Sequence, residues 1–319
     1  MKVKESLLSH IVCPRCKNTL KEEGDFLSCD YESCNLNFPY LENDVPILIN
    51  EENSIFLIHQ VKSSGVNTLG MLKETKLKSF FTQFIPSIGN NIQGKKNYLE
   101  FLDLLLSKKT TPNILVVGGS TVGSGMESIV NSDSLNLVET DIYLGSRTDI
   151  ICDAHDIPFE DGFFDGVIIQ AVLEHVVDPY RCVEEVHRVL GEDGLVYAET
   201  PFMQQVHMGR HDFTRFTHLG HRRLFRKFTE LKSGIVCGPG MALAWSFHYF
   251  LLSFTQSKPL RKLITVFASF STFFLKYFDY YLVDKNGSYD SASGFFFIGE
   301  KNDTSLSDLE LIKLYKGAL

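Results

Sequence analysis

Positive charge is scarce in this 319-residue chain: 31 lysines and arginines stand against 39 acids, for a formal net charge of −8. A general nucleic-acid binder needs a basic stripe, so this balance argues against that class and leaves room only for a local basic groove. An apolar run of signal-peptide length is lacking at the start too. Met1 to Cys16 carries charges and a cysteine pair where a secretory signal would need an apolar run, so the expectation is a cytosolic protein. Seven cysteines is an odd number, and in a reducing compartment that favours thiols and metal ligands over a disulfide framework. Internal repeats and low-complexity tracts are absent as well. What is present suffices for about two domains by length, and 44% hydrophobic residues can bury a full core.

The first unit is residues 1–50. Cys13-Pro-Arg-Cys16 is followed after twelve residues by Cys29, and Cys34 follows after four more. Two such knuckles on tight turns can bring four thiolates to the corners of a tetrahedron, the arrangement a structural zinc prefers. A unit this small buries little core, so a metal would supply missing stability. Buried free thiols in a small β unit are the plainer alternative. From Leu8 to Asn50, with Cys13-Pro-Arg-Cys16-Lys17, Phe38-Pro39-Tyr40 and Val45-Pro46-Ile47-Leu48, the stretch resembles the zinc-ribbon family that partners and activates methyltransferases of tRNA and release factors.

Residues 51–111 read as a helical connector. Ile55 to Val61 and Tyr98 to Leu106 have helical apolar spacing, while Lys62 to Gly70 and Pro86 to Lys96 read as loops.

Residues 112–319 carry the chemistry. Ile114 to Val117 is a continuous apolar run, as expected of a strand buried on both faces, and a glycine loop from Gly118 to Gly125 follows it. Leu135 to Thr140 reads as a second strand delivering Asp141, whose carboxylate can accept both hydroxyls of a ribose. Thr148 to Ile151 is a third strand, and Cys152-Asp153-Ala154-His155-Asp156 follows. Phe164 to Gln170 is a fourth, with Ala171 to His175 at its carboxyl end. Asp178-Pro179 starts a helix with Val183, Val186 and Leu190 on one face and a Glu184 to Arg188 pair, and Gly191 stops it. Leu195 to Glu199 is the fifth strand. Such alternation predicts an α/β fold with parallel strands and a ligand crevice at their carboxyl ends.

This succession looks like class I S-adenosylmethionine-dependent methyltransferases, most specifically from Asp153 to Pro201. The resemblance implies a Rossmann-like seven-stranded sheet. It also places the loop of Gly118, Gly119, Ser120 and Gly123 under the methionine part, Asp141 on the ribose, Asp153 with Ala154 on the adenine edge, and Gln170 along the cofactor wall. One feature departs from the family: Val116 and Val117 stand where an acidic residue usually precedes the first loop glycine, and the loop is longer.

The segment after the fifth strand should border the transferred methyl. An oxygen nucleophile needs a base. His207 and His211 have suitable intrinsic pKa values, and Asp212 can orient or replace either. His175 reads as structural, and Glu199 as a salt-bridge or catalytic residue. Thr217 can cap a helix with Leu224 and Phe228 facing inward and its cations facing out. His211-Asp212-Phe213-Thr214-Arg215-Phe216-Thr217 with Leu224-Phe225 also resembles methyltransferases of polysaccharide and other glycan pathways, which implies a small or glycan-type acceptor and methyl transfer to oxygen. RNA or protein as acceptor, and a cofactor-binding scaffold without activity, are the rivals.

Past Gly240, Met241 to Thr255 and Leu263 to Leu275 carry no Asp, Glu, Lys or Arg. The longer would reach only ~22 Å as a helix, short of a hydrocarbon core of ~30 Å. Three readings stay open for this hydrophobic insertion: an enlarged core, a homodimer interface, or peripheral contact with a membrane helped by Lys258, Arg261 and Lys262. Gly294 to Gly299 reads as the last strand returning to the sheet.

Overall fold

The computed structural model describes residues 5–41, 44–64 and 85–318. The loop expected over Lys62 to Gly70 therefore lies mostly outside the described residues. A short helix α1 (Glu5–Leu8) precedes β1 (Leu20–Glu23), β2 (Phe26–Cys29), β3 (Asn37–Leu41) and β4 (Val45–Leu48). Two connector helices follow, α2 (Ile58–Ser64) and α3 (Gly94–Lys108). The central part runs β5 (Asn113–Val117), α4 (Glu127–Val130), β6 (Asn136–Asp141), β7 (Ile150–Cys152), β8 (Phe164–Gln170), α5 (Pro179–Val189) and β9 (Leu190–Pro201). After these come α6 (His218–Leu224), β10 (Phe228–Cys237), α7 (Pro239–Leu252), α8 (Lys258–Thr272), α9 (Leu275–Leu282), β11 (Gly294–Lys301) and α10 (Asp308–Ile312).

The strands join in one mixed sheet, ordered β1-β2-β3-β4-β7-β6-β5-β8-β9-β11-β10. It has eleven strands: the seven from β7 to β10 in that order, and the four of the amino-terminal unit, which join because β4 pairs in parallel with β7, Ile47 opposite Ile151, and carries β1 to β3 with it. From β4 to β9 every pairing is parallel; β11 then runs antiparallel between β9 and β10.

Side chains alternate across a strand, and the sheet's centre obeys this strictly. Leu115, Val117, Val167, Ile169, Val196 and Ala198 enter one core, while Ile114, Val116, Ile168, Leu195 and Tyr197 enter the other. Tyr98, Phe101 and Leu105 of α3 cover the second core, with the Tyr98 and Tyr197 rings 4.4 Å apart. Cys182, Val183 and Val186 of α5 cover the first, and Ile11, Leu27 and Phe38 of the amino-terminal unit belong to that same core. The cysteine module is thus packed into the α/β body. Lys17 adds an ion pair to Glu185 at 2.8 Å.

Asp178 caps α5 as expected, accepting from the Arg181 amide at 3.1 Å. Arg188 pairs with Glu185 and Asp161, and Glu184 turns instead to Lys227, because Glu185 lies on the face that meets Arg188. Thr217 caps α6 through the Gly220 amide. Arg222, expected in solvent, is buried at 3% exposure, donates to the carbonyls of Phe225 and Phe228, and pairs with Glu230.

The core reading of the hydrophobic insertion fails for one face of α7 to α9. Leu243, Phe250, Leu263, Phe267, Phe274 and Tyr281 are all exposed, and α8 buries only Ala268, Ser269 and Thr272. Among the described residues no helix is long and apolar enough to cross a membrane.

Two histidines of α6 make stability depend on acid. Burial pushes His221 down to about 3 and His218 down to about 4. Their folded values lie below the unfolded 6.5, so the unfolded chain binds more protons in between; this stability is complete above about pH 6.5 and is lost as pH falls toward 4. His221→Leu is expected to make the fall between pH 6 and 4 shallower by ~1.4 kcal/mol per pH unit. Urea titrations at each pH measure it, and parallel curves for both proteins would refute the assignment.

Candidate active site

At the carboxyl ends of β5 to β9 the sheet opens into a cavity of about 780 Å³. Its floor follows from the strand ends. Gly118 takes φ 81°, a left-handed conformation that favours glycine, so the chain can turn as β5 ends. The amides of Gly118 and Gly119 both donate to the Thr140 carbonyl, at 2.8 and 2.9 Å, pinning the loop to β6. Asp141 ends β6 and accepts from the Ser120 and Tyr143 amides, each at 3.1 Å. A carboxylate has about four acceptor positions, so two remain. At Gly123 a Cβ would come within 1.7 Å of the Gln170 Oε1, so a side chain there would push the glutamine amide aside.

Gly118, Ser120, Gly123, Asp141, Asp153, Ala154 and Gln170 all line this cavity. Gly119 does not; it acts through its backbone bond. Asp153 is buried, and its carboxylate already holds the His155 ring and the Ser54 hydroxyl. Burial opposes its charge, but those bonds outweigh it and hold the carboxyl below the ordinary range. His155 in turn accepts from the Asp178 amide, so this corner fixes the start of α5 as well as a cavity wall.

Glu199 at the far wall is fully buried and has only neutral partners among the described residues: Gln170 at 2.7 Å, Asn91 at 3.0 Å and the Tyr197 hydroxyl. Of the two readings for it, the salt bridge is not formed among the described residues. Burial raises its pKa, and these hydrogen bonds work against the rise. Gln170 Oε1 is buried without a partner. The connector also reaches the cavity, with Phe56 stacked on His211 at 5.6 Å between centroids.

The other end belongs to the segment after β9. His207 and His211 line the cavity. Asp212 lies outside it, its carboxylate clamped by Arg215 and by the His207 amide at 2.9 Å. Burial works against its ionisation, but Arg215 and the His207 and Met208 amides prevail and keep it well below the usual range. Asp212 therefore orients this segment and is a poor proton acceptor. Burial and Arg210 lower the His211 pKa, and Arg210 Nε sits 3.1 Å from its Nε2.

Sequence reasoning missed Glu174 and read His175 as structural. Both line the cavity beside His207. The turn that presents them begins at Ala171, a non-glycine residue at φ 53°. It is held by the Phe213 amide on the Glu174 carbonyl at 2.8 Å and by His175 Nδ1 on the His211 carbonyl at 2.8 Å. Burial pushes the Glu174 carboxyl up to about 8.

The four module cysteines also converge. Cys13 and Cys34 sulfurs are 3.7 Å apart, Cys16 and Cys29 sulfurs 3.4 Å, and all four lie within 4.8 Å of one another. Lys17 and Asn35, each just past a knuckle, take positive φ.

A family model described as methyltransferase domain matches residues 130–198. Residues 130–198 accordingly belong to a methyltransferase domain. A search of the curated proteins found no match. Among solved structures the chain is similar to phosphoethanolamine N-methyltransferase 2 of Haemonchus contortus in complex with S-adenosyl-L-methionine (15% identity, 75% of this chain and 60% of that one, TM-score 0.45). It is similar to the Burkholderia thailandensis 1,6-didemethyltoxoflavin-N1-methyltransferase (11% identity, 66% and 79%, TM-score 0.40). It is also similar to the [4+2]-cyclase SpnF (16% identity, 64% and 80%, TM-score 0.39). These likenesses are distant.

If the glycine loop holds cofactor, Gly123→Val is expected to weaken S-adenosylmethionine binding by tenfold or more, roughly the ~1.4 kcal/mol that one such factor represents. Calorimetry measures it; affinity equal to wild type would show that the loop does not touch the cofactor.

Proposed function

We propose that this chain transfers a methyl group from S-adenosylmethionine to a hydroxyl oxygen of a small or glycan-type acceptor. The observation that carries this reading is one cavity with two chemically different ends. The glycine loop and Asp141 form one end, and Glu174, His175, His207 and His211 form the other.

When bound, the cofactor supplies a methyl on a positively charged sulfur. The residues around it have separable tasks. Backbone of the Gly118 to Gly123 loop gives the methionine part close approach, Asp141 accepts from the ribose, the Asp153-Ala154 corner bounds the adenine, and Gln170 forms the wall. An in-line acceptor must lie toward His207, and its hydroxyl proton must leave on that side. The same geometry admits a nitrogen acceptor, which needs less help in losing a proton.

The glycan part of the reading rests on the His211 to Thr217 segment and on Arg210, an exposed guanidinium near the cavity mouth that suits phosphate or carboxylate. RNA or protein as acceptor is the rival that the cysteine module favours. Zinc on Cys13, Cys16, Cys29 and Cys34 belongs to this proposal, supported by four sulfurs within 4.8 Å of one another, close enough to share one ion. In a Cys13→Ser, Cys34→Ser double variant we expect one zinc equivalent fewer by elemental analysis, with lower stability; unchanged metal content would leave the cysteines as free thiols.

Two substitutions test the division of labour. Asp141→Ala should weaken calorimetric S-adenosylmethionine affinity by ~1 to 3 kcal/mol, as loss of a hydrogen bond to a charged group does. His207→Ala should leave that affinity intact and slow S-adenosylhomocysteine release by ~10² or more. Turnover is followed with sugar nucleotides and, separately, with tRNA. Tight cofactor binding without transfer to either pool, by the wild type, would favour an inactive scaffold.

A further inference from the structure

We propose that Glu174, His175 and His207 form a binding site for a divalent transition-metal ion at the acceptor end of the cavity. The inference rests on reading that cavity as the methyl-transfer site, and it changes how His207 acts: as a ligand, in place of a direct base.

The outer partner fixes the tautomer of His175. His175 Nδ1 lies 2.8 Å from the His211 carbonyl, which can only accept, so Nδ1 carries the hydrogen and Nε2 presents a lone pair. His207 Nδ1 lies 3.3 Å from the Gln205 carbonyl and 3.5 Å from Arg215 Nη2, so its hydrogen can sit on either ring nitrogen. The two Nε2 atoms face each other at 3.1 Å. A shared hydrogen holds them at that distance without metal, and an ion that takes both lone pairs would replace it.

The third corner completes the site. Glu174 Oε1 is 3.6 Å from His175 Nε2 and 3.9 Å from His207 Nε2. With bonds of ~2.1 Å, neighbouring ligands lie ~3.0 to 3.4 Å apart around an octahedral or tetrahedral ion, so small side-chain shifts close this triangle on a metal. Glu174 is 1% exposed, and its Oε2 is buried without a hydrogen-bond partner. Nothing else among the described residues answers that oxygen. Arg215, the nearest competing cation, has its charge taken up by Asp212.

Two imidazoles and one carboxylate are a donor set for zinc, iron or manganese, and three protein ligands leave positions open. Those positions face the cavity, because all three residues line it. The bond from His175 Nδ1 to the His211 carbonyl is the kind that fixes a ligand histidine. An acceptor hydroxyl on the ion would lose its proton to solvent near neutral pH. Its oxygen then forms the new O–CH₃ bond as the S–CH₃ bond breaks, with the electron pair staying on sulfur. The products are a methyl ether and S-adenosylhomocysteine. An acceptor with two adjacent oxygens, as a sugar diol offers, would fill two open positions.

Manganese is the probe, since hard ions bind thiolates poorly and the cysteine cluster stays out of the measurement. The full chain is titrated with Mn²⁺ by electron paramagnetic resonance, with S-adenosylmethionine affinity followed in parallel by calorimetry. We expect one bound Mn²⁺ in the wild type, at least tenfold weaker binding in Glu174→Gln, and none in the His175→Ala, His207→Ala double variant, with cofactor affinity held within twofold in all three. Glu174→Gln keeps shape and hydrogen-bonding capacity, so it separates loss of a ligand from loss of fold. Absence of Mn²⁺ binding in the wild type, or equal binding in all three proteins, would overturn the site. Intact cofactor affinity in that case leaves the methyl-transfer reading standing, whereas metal binding without cofactor affinity would sink that reading and spare the site.

Discussion

Burial of the β5 and β8 strands on both faces is the constraint on which the rest depends. Each sends alternate side chains into two separate cores, so neither strand can slip by one residue without moving its whole apolar set to the wrong side. That locked register decides where the strands stop. Gly118 follows Val117, Asp141 closes β6, and Gln170 closes β8, all at one edge of the sheet. The cofactor end of the cavity is a consequence of strand length and register. Its side chains need little reorganisation because the backbone bonds to Thr140 already hold the loop.

The acceptor end is built differently. It lies on turns, and its rigidity comes from bonds between distant segments, the Phe213 amide to Glu174 and His175 to His211, and from the local Asp212 to Arg215 clamp. This accounts for a cavity whose floor is backbone and whose far wall is titratable. Polar groups that bury there without mutual satisfaction, such as Glu174 and Gln170, carry a desolvation cost. A bound ligand or ion would repay it, and an apolar replacement would be expected to stabilise the empty protein.

Much of this was legible in the sequence, and the reason is local. Phe164 to Gln170 reads as a strand around the apolar Val167-Ile168-Ile169, and the strand occupies those same residues. Asp178 with Pro179 announces a helix start within four residues. The glycine loop and the carboxylate at each strand end follow from adjacent residues too. The Glu174, His175 and His207 cluster was not legible, because its members lie 32 residues apart, on two turns that carry no periodicity. The pairing of β4 with β7 escaped for the same reason: nothing in Val45 to Leu48 says which strand edge it will cover. Arg222 was misplaced because a basic residue on a short helix reads as solvated, whereas two carbonyls and Glu230 take up its guanidinium.

The central claim is that one cavity holds a methyl donor over the glycine loop with its reactive end toward the histidines. A crystal structure with S-adenosylhomocysteine bound measures this directly. The account predicts the ribose on Asp141, the amino-acid part over Gly118 to Gly123, and the sulfur turned toward His207. Ligand density elsewhere, or a sulfur turned away from the Glu174, His175 and His207 wall, would contradict it.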